Sequence, residues 1–479
     1  MNFSNIAYTL SGLWLILSGF FAVPLGFSVY YRDGLQLIFA SQIVGLFLVG
    51  LLLRVLTRRP TELTIREGFL TVTLSWITLS LFGSIPFMVS GSIPNFTDAF
   101  FETMSGFTTT GATILTDIEA LPKSLLVWRD MTQWLGGMGV IALAVAILPY
   151  LGVGGMQLFK AEVPGPIKDK ISPRISETAK ILWMVYLAFT VAEIVLLMLG
   201  GLSFFESLCT AFGTMATGGF SPRHASIAAY STAYVHYVVT IFMFIAGVNF
   251  ALHYWAFRGK LDRYVKNSEF CFFVLIVCIA LGLVMGARLV NGEIFSEALF
   301  RSSLFQTVSI VTTTGFVTQD YEQWPFVTQI ILLALMFIGG CTSSTGGGIK
   351  NVRVLVLFKE MGSELRKLFH PHGVFPVKIG DKPVPENVVS NVIVFIALYI
   401  LIFFFGVLAM AGLGLDIDTS IGAVAATLGN VGPGIGAVGP IDNYSHLPIL
   451  GKWILSFLMM TGRLEIFTVL VIFTRHFWD

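Results

Sequence analysis

The chain has 479 residues, of which 55% are hydrophobic and only 12% charged, and a mean hydropathy of +0.81 excludes an ordinary soluble domain. A net charge of +1 gives no basis for a nucleic-acid or acidic partner, so the information lies in where the charges sit. Four scattered cysteines (Cys209, Cys271, Cys278 and Cys341) lack CxxC or paired spacing and are expected to be small buried apolar residues.

The first apolar run, Ile6 to Phe27, lacks a basic leader and a clear small-residue cleavage site and is long enough to cross ~30 Å of hydrocarbon. It reads as a retained helix. Further runs of spanning length follow at 35–53, 68–89, 126–149, 180–202, 233–257, 269–290, 326–358, 388–413 and 451–474, making ten expected spans. Basic residues gather in alternate loops: Arg54, Arg58, Arg59 and Arg66; Lys160, Lys168, Lys170 and Arg174; Arg258, Lys260, Arg263 and Lys266; Lys350, Arg353, Lys359, Arg366 and Lys367. All fall on one side, expected to be cytoplasmic together with both termini.

The opposite loops each carry a short apolar stretch, too brief to cross, and then a turn rich in hydroxyls and glycine. These are FTDAFFETMSGFTTTGAT (96–113), FFESLCTAFGTMATGGFS (204–221), LFRSSLFQTVSIVTTTGFVT (299–318) and IDTSIGAVAATLGNVGPG (417–434). Aligned on Gly111, Gly218, Gly315 and Gly432 they repeat at 107, 97 and 117 residues. The expected fold is therefore an all-α integral membrane protein: an N-terminal helix pair (1–67) and four helix, re-entrant loop, helix repeats (68–175, 176–266, 267–386, 387–479) in pseudo-fourfold arrangement. Irregular backbone at membrane depth survives only when buried in protein or facing a hydrated cavity, and four such loops around one axis meet that condition together.

A dehydrating monovalent cation needs a ring of replacement oxygens, and backbone carbonyls supply one without formal charge. The candidate carbonyls are those of Thr109, Thr110 and Gly111; Ala216, Thr217 and Gly218; Thr313, Thr314 and Gly315; and Asn430, Val431 and Gly432. The C-terminal ends of the half-helices would favour a cation at this level.

The run 326–358 is longer than a span requires and contains GGCTSSTGGGIK (339–350). Its glycines (Gly339, Gly340, Gly346, Gly347, Gly348) weaken helix, and Thr342, Ser343, Ser344 and Thr345 can satisfy the freed backbone. A Walker-type phosphate loop is excluded by the membrane flanks and by the residues around Lys350. A passive packing kink and a gate across the permeation path both remain open. Arg463, deep in the last run, is placed to reach this loop, or else pairs only with Glu465 or another carboxylate. Residues two apart on a helix do not face each other, so Glu465 is expected to bind elsewhere, on another helix or the dimer partner. Asp98, Glu102, Glu206 and Gln306 are expected to be structural hydrogen-bonding groups or else to shape the potential of the outer vestibule, Glu193 marks a helix contact or a proton path, and His370 and His372 read as ordinary surface.

The four loops, together with QWLGGMG (133–139), PGPIKD (164–169), the 339–350 stretch and GRLEIFT (462–468), make the whole chain resemble the TrkH/TrkG/KtrB family of potassium-uptake proteins. The resemblance implies K+ as the transported ion, held at the loop residues named above, and no organic cofactor. It also implies a homodimer in the bacterial inner membrane and a cytosolic ring of nucleotide-binding RCK-type subunits, TrkA-like. In the family the GRLE-type arginine contacts the gate loop and opposes cation passage, which assigns that role to Arg463. Some family members that conduct Na+ well carry serine at the first filter glycine, so the resemblance with Gly111 favours K+ selectivity. The chain departs from the pattern at Met215, Ala216 and Pro433. A cation-coupled secondary transporter of another solute is the alternative, although such proteins usually carry inverted repeats; no nucleophile, base or metal cluster points to an enzyme.

Overall fold

The computed structural model describes residues 1–57, 64–146, 175–380 and 382–479. The basic residues Arg58, Arg59, Lys160, Lys168, Lys170 and Arg174 and the PGPIKD stretch lie outside the described residues, as does the end of the first repeat. The N-terminal pair is a helix bent at Phe21 (Phe3–Phe20, Ala22–Tyr31) packed antiparallel on Gln36–Leu56. After it, one order of elements recurs four times: a long outer helix, a half-helix, an extended turn and an inner helix.

The outer helices are Ile65–Val89, Ile175–Leu199, Ser268–Val290 and Glu386–Gly412. The half-helices Phe96–Phe107, Phe204–Met215, Glu297–Val311 and Ile417–Leu428 have 12, 12, 15 and 12 residues. At 1.5 Å per residue they reach only about 18–22 Å and cannot cross a ~30 Å core. Each starts on a side-chain N-cap (Asn95, Ser203, Ser296, Asp416), which fixes where the chain enters.

Large apolar side chains lie exposed on the outer helices, as with Leu199 and Phe405, and belong in hydrocarbon. Six described helices are long and apolar enough to cross a membrane, or eight if two bent pairs each count as one span. The run expected at 126–149 forms Lys123–Ala146 with its final residues outside the described set. The run at 326–358 is helical only over Phe326–Leu335 and again from Asn351.

Two runs expected as single spans are broken. Ala233–Gly247 and Phe250–Phe257 meet at 105°, and Ile449–Arg463 and the segment from Phe467 meet at 114°. Hydropathy could not register either break, because the interrupted segments remain apolar throughout. At the first, Gly247 ends one helix and the Asn249 side chain caps the next. At the second, Glu465 and Ile466 both take positive φ (58° and 52°). Cys209 and Cys341 are buried as expected, but Cys271 and Cys278 are exposed on the outward face of Ser268–Val290. Both chain ends meet at one end of the molecule, where Phe477 packs with Ile6, Leu10 and Leu70.

Candidate functional site

The half-helices end alike. The amides of Thr110, Gly218, Thr314 and Val431 each bond back five residues, to Ser105, Gly213, Ser309 and Ala426, at 2.8 Å. The preceding amides, of Thr109, Thr217, Thr313 and Asn430, bond back three residues, to Gly106, Thr214, Ile310 and Thr427. This is a Schellman cap repeated four times. Its left-handed position, normally glycine, is held by Thr109 (φ 51°), Thr217 (51°), Thr313 (58°) and Asn430 (54°). A β-branched residue there is a strained outlier costing on the order of 1–3 kcal/mol, and three of the four carry it.

Two residues on, the chain again turns through positive φ at Gly111 (85°), Gly219 (79°), Gly315 (79°) and Gly432 (98°). The second loop is therefore in a different register from the one its sequence suggests. The counterpart of Gly111 is Gly219, not Gly218, and Thr217, Gly218 and Gly219 match Thr109, Thr110 and Gly111. Ala216 falls one step earlier, level with Thr108, Thr312 and Gly429.

These glycines close a ring. A Cβ built on Gly111 would come within 2.6 Å of the Gly218 carbonyl oxygen; on Gly219, of Thr314's; on Gly315, of Val431's; and on Gly432, of Thr110's. Each repeat thus leans on the next and the fourth on the first, at a distance no side chain allows. Thr110 and Asn430 add a direct tie between the first and last loops, the Asn430 amide donating to Thr110 Oγ1 at 2.9 Å.

Among the carbonyls of 108–111, 216–219, 312–315 and 429–432, only those of Ala216, Gly218 and Gly432 accept a hydrogen bond from the described residues. Buried carbonyls are ordinarily paired. Here four converging strands leave theirs open, with every threonine of the ring buried. On the outer side, Gly111, Gly219, Gly315 and Gly432 line one open cavity.

The polar residues noted in the half-helices hold this frame. Glu102 accepts from Arg129 Nε at 2.7 Å, and the Arg129 guanidinium lies over the Phe220 ring at 3.5 Å. Glu206 pairs with Arg223 and Asp98 with Lys452, both at 2.7 Å or less. Gln306 reaches the Phe316 carbonyl at 3.4 Å.

Beneath the ring runs the glycine-rich loop. The amide of Gly339 bonds to the Ile349 carbonyl and that of Ile349 to Phe337, which closes the loop's base, while Asn351 donates to Gly340. Ser343 (φ 58°) and Gly348 (φ 63°) provide its corners. Thr342 is held at one side by the buried carboxylate of Glu269, which accepts from its amide at 2.6 Å and its hydroxyl at 3.1 Å. Ser344 Oγ accepts from the Gly346 amide. The loop presses upward: Thr345 Oγ1 donates to the Met215 carbonyl at 3.0 Å, the Gly347 amide donates to Thr313 Oγ1 at 2.6 Å, and Gly346 packs under the Thr312 carbonyl.

The same loop repairs the broken helix beside it. Carbonyls freed at Ala246 and Gly247 accept from the amides of Thr345 (3.3 Å) and Cys341 (2.8 Å), and Ser343 returns a carbonyl to the Phe250 amide. Each interruption supplies the other's missing partners, which is how two can coexist inside a membrane.

Two cations clasp consecutive loop carbonyls. Arg463, 4% exposed, donates from Nη1 to the Thr345 oxygen at 2.6 Å. Lys350 Nζ donates to the Gly346 oxygen. Arg463 makes no pair with Glu465, which instead takes Arg353 at 2.5 Å. Lys350, Arg353, Glu269 and Gln133 were not singled out in the sequence as site residues. The available signal was a charged or amide side chain inside an apolar run, an expensive placement that marks function by default.

A family model described as a cation transport protein, TrkH, matches residues 35–478. The chain is 42% identical to the Trk system potassium uptake protein TrkH of Escherichia coli K12, over all of both chains. It is 36% identical to the potassium uptake protein TrkG of the same strain, over 95% of this chain and 94% of the other. The crystal structure of the potassium transporter TrkH from Vibrio parahaemolyticus superimposes with a TM-score of 0.92 at 38% identity, covering 100% of each chain.

Proposed function

The chain belongs to the TrkH family of cation transport proteins, and from that premise we propose that this multi-pass membrane protein takes up K+ through its own four-loop ring. The observation that carries the reading is the set of buried carbonyls left without protein partners where four strained turns converge. Oxygens in that state are suited to replace the hydration shell of a weakly hydrated cation. The filter comprises the carbonyls of Thr109, Thr110 and Gly111; Thr217, Gly218 and Gly219; Thr313, Thr314 and Gly315; and Asn430, Val431 and Gly432, with each expected repeat contributing one strand. Ala216 lies at its inner edge.

Residues 339–348 form the gate in this proposal. Support comes from their hydrogen bonds to the ends of two strands, at Met215 and Thr313, from the close approach of Gly347 to a third at Gly429, and from the Arg463 charge held under the ring. A loop that merely filled a kink would not need two buried cations on adjacent carbonyls. The loop continues directly into Asn351–Phe369, whose far end carries Arg366 and Lys367. That helix and the segment to 385 suit docking of a cytosolic nucleotide-binding RCK-type ring, TrkA-like, which would move the gate. We place the protein in the bacterial inner membrane as a homodimer with both termini cytoplasmic; the meeting of the two chain ends supports a shared side.

The test is growth and Rb+ influx at low K+ in a bacterium lacking K+ uptake systems. Rescue is expected when this chain is expressed with its cytosolic partner. No rescue from well-expressed, membrane-inserted protein overturns the reading.

A further inference from the structure

Resting on the filter proposed above, one ring level breaks its own symmetry. Thr110, Gly218, Thr314 and Val431 occupy equivalent positions, yet among the described residues only the Gly218 carbonyl accepts a hydrogen bond. The donor is Nε2 of Gln133 at 2.6 Å, from the inner helix Lys123–Ala146. The same carboxamide accepts from the Phe220 amide through Oε1 at 2.9 Å. A carbonyl can only accept and an amide N–H can only donate, so these partners fix which way the amide faces. Gln133 is fully buried and spans the strand from one side of Gly219 to the other.

This contact accounts for the doubled glycine of the second loop. A Cβ on Gly218 would fall inside 3.0 Å of the Gln133 carboxamide, while Gly219 is needed for the positive φ and for the approach to Thr314. Gly218 is glycine to admit Gln133.

We infer that Gln133 is a positioning residue that sets ion preference by engaging one of the four carbonyls at this level. An oxygen already accepting an N–H is a weaker ligand than its three counterparts, which lowers the field at that level. A small cation repays its larger dehydration cost only in a strong field, so the engaged carbonyl disfavours Na+ more than K+. Removing the donor restores a fourth full ligand.

The test uses purified full-length protein in liposomes, with Na+ and K+ permeability measured from competition against Rb+ flux. Gln133→Met removes both bonds at similar size. Gln133→Leu removes both bonds with a smaller, uncharged side chain, and it serves as the reading if the Met variant does not assemble. Tyr321→Phe is the control, since Tyr321 ties the Gly434 carbonyl at 2.7 Å, just outside the ring. The expected result is a Na+/K+ permeability ratio raised about fivefold in the Gln133 variants, the worth of one net hydrogen bond, with Tyr321→Phe unchanged. An unchanged ratio in an assembled Gln133 variant, or an equal shift in Tyr321→Phe, overturns the inference. Failure of the wild-type protein to prefer K+ would instead overturn the filter reading beneath it.

Discussion

Replacing Arg463 by alanine removes the Nη1 bond to the Thr345 carbonyl, made at 2.6 Å by a guanidinium only 4% exposed. Hydrogen bonds from charged donors contribute about 1.5–3 kcal/mol. Taking ~2 kcal/mol as the part specific to the loop's present position, the ratio of blocked to open arrangements falls roughly thirtyfold. Substitution also removes a fixed positive charge from the path below the ring. Two further variants separate these effects. Arg463→Gln can still donate to Thr345 without the charge, and Arg463→Lys keeps the charge without the planar fork. The assay is Rb+ influx into proteoliposomes without any cytosolic partner. Influx is expected to rise on the order of tenfold or more for Ala, less for Gln, and least for Lys. Unchanged influx in monodisperse Arg463→Ala protein would refute the gating argument and return the loop to a packing role.

Gly111→Ser is expected to raise Na+ permeation relative to K+, because its side chain must displace the Gly218 carbonyl of the neighbouring strand; an unchanged ratio would remove that loop from the pathway. Glu465→Gln leaves Arg353 without its carboxylate partner beneath the gate. Partner-independent Rb+ influx is expected to rise a few-fold, and Arg353→Gln should add little to it in the double variant; fully additive effects would show the pair is not coupled. At the opposite end, burial raises the Asp33 carboxyl, but bonds from Ser124, Ser28 and Leu35 outweigh it and hold the group below its ordinary value. A depressed carboxyl contributes stability above its unfolded value that is lost as pH falls through the folded one, here below about 4. The thermal midpoint of the wild type should therefore drop more steeply in that window than that of Asp33→Asn, and parallel curves would contradict it.

Hydropathy and the recurring loop segments were enough to read the membrane class and the fourfold recurrence, because spanning length and loop composition are local, additive properties. The hydroxyl and glycine content of the turns marked the ring, and the glycine-rich interruption marked the loop beneath it. Register was not legible in the second turn. Gly218 and Gly219 look equivalent in the chain, and only the approach of Gln133 to one and Thr314 to the other separates their tasks. The break after Gly247 was hidden for a similar reason, since its freed carbonyls are satisfied by the amides of Cys341 and Thr345 far along the chain, while the break after Arg463 closes on local bonds within an apolar segment. Spacing turned Glu465 away from Arg463 but could not name Arg353 as its partner. The sequence by itself determined that the four turns and the 339–350 stretch leave regular helix inside the membrane. The tertiary structure alone decided where their unpaired groups would go, because inside a bilayer a freed amide or carbonyl is matched by whatever the packing of distant segments brings within bonding distance.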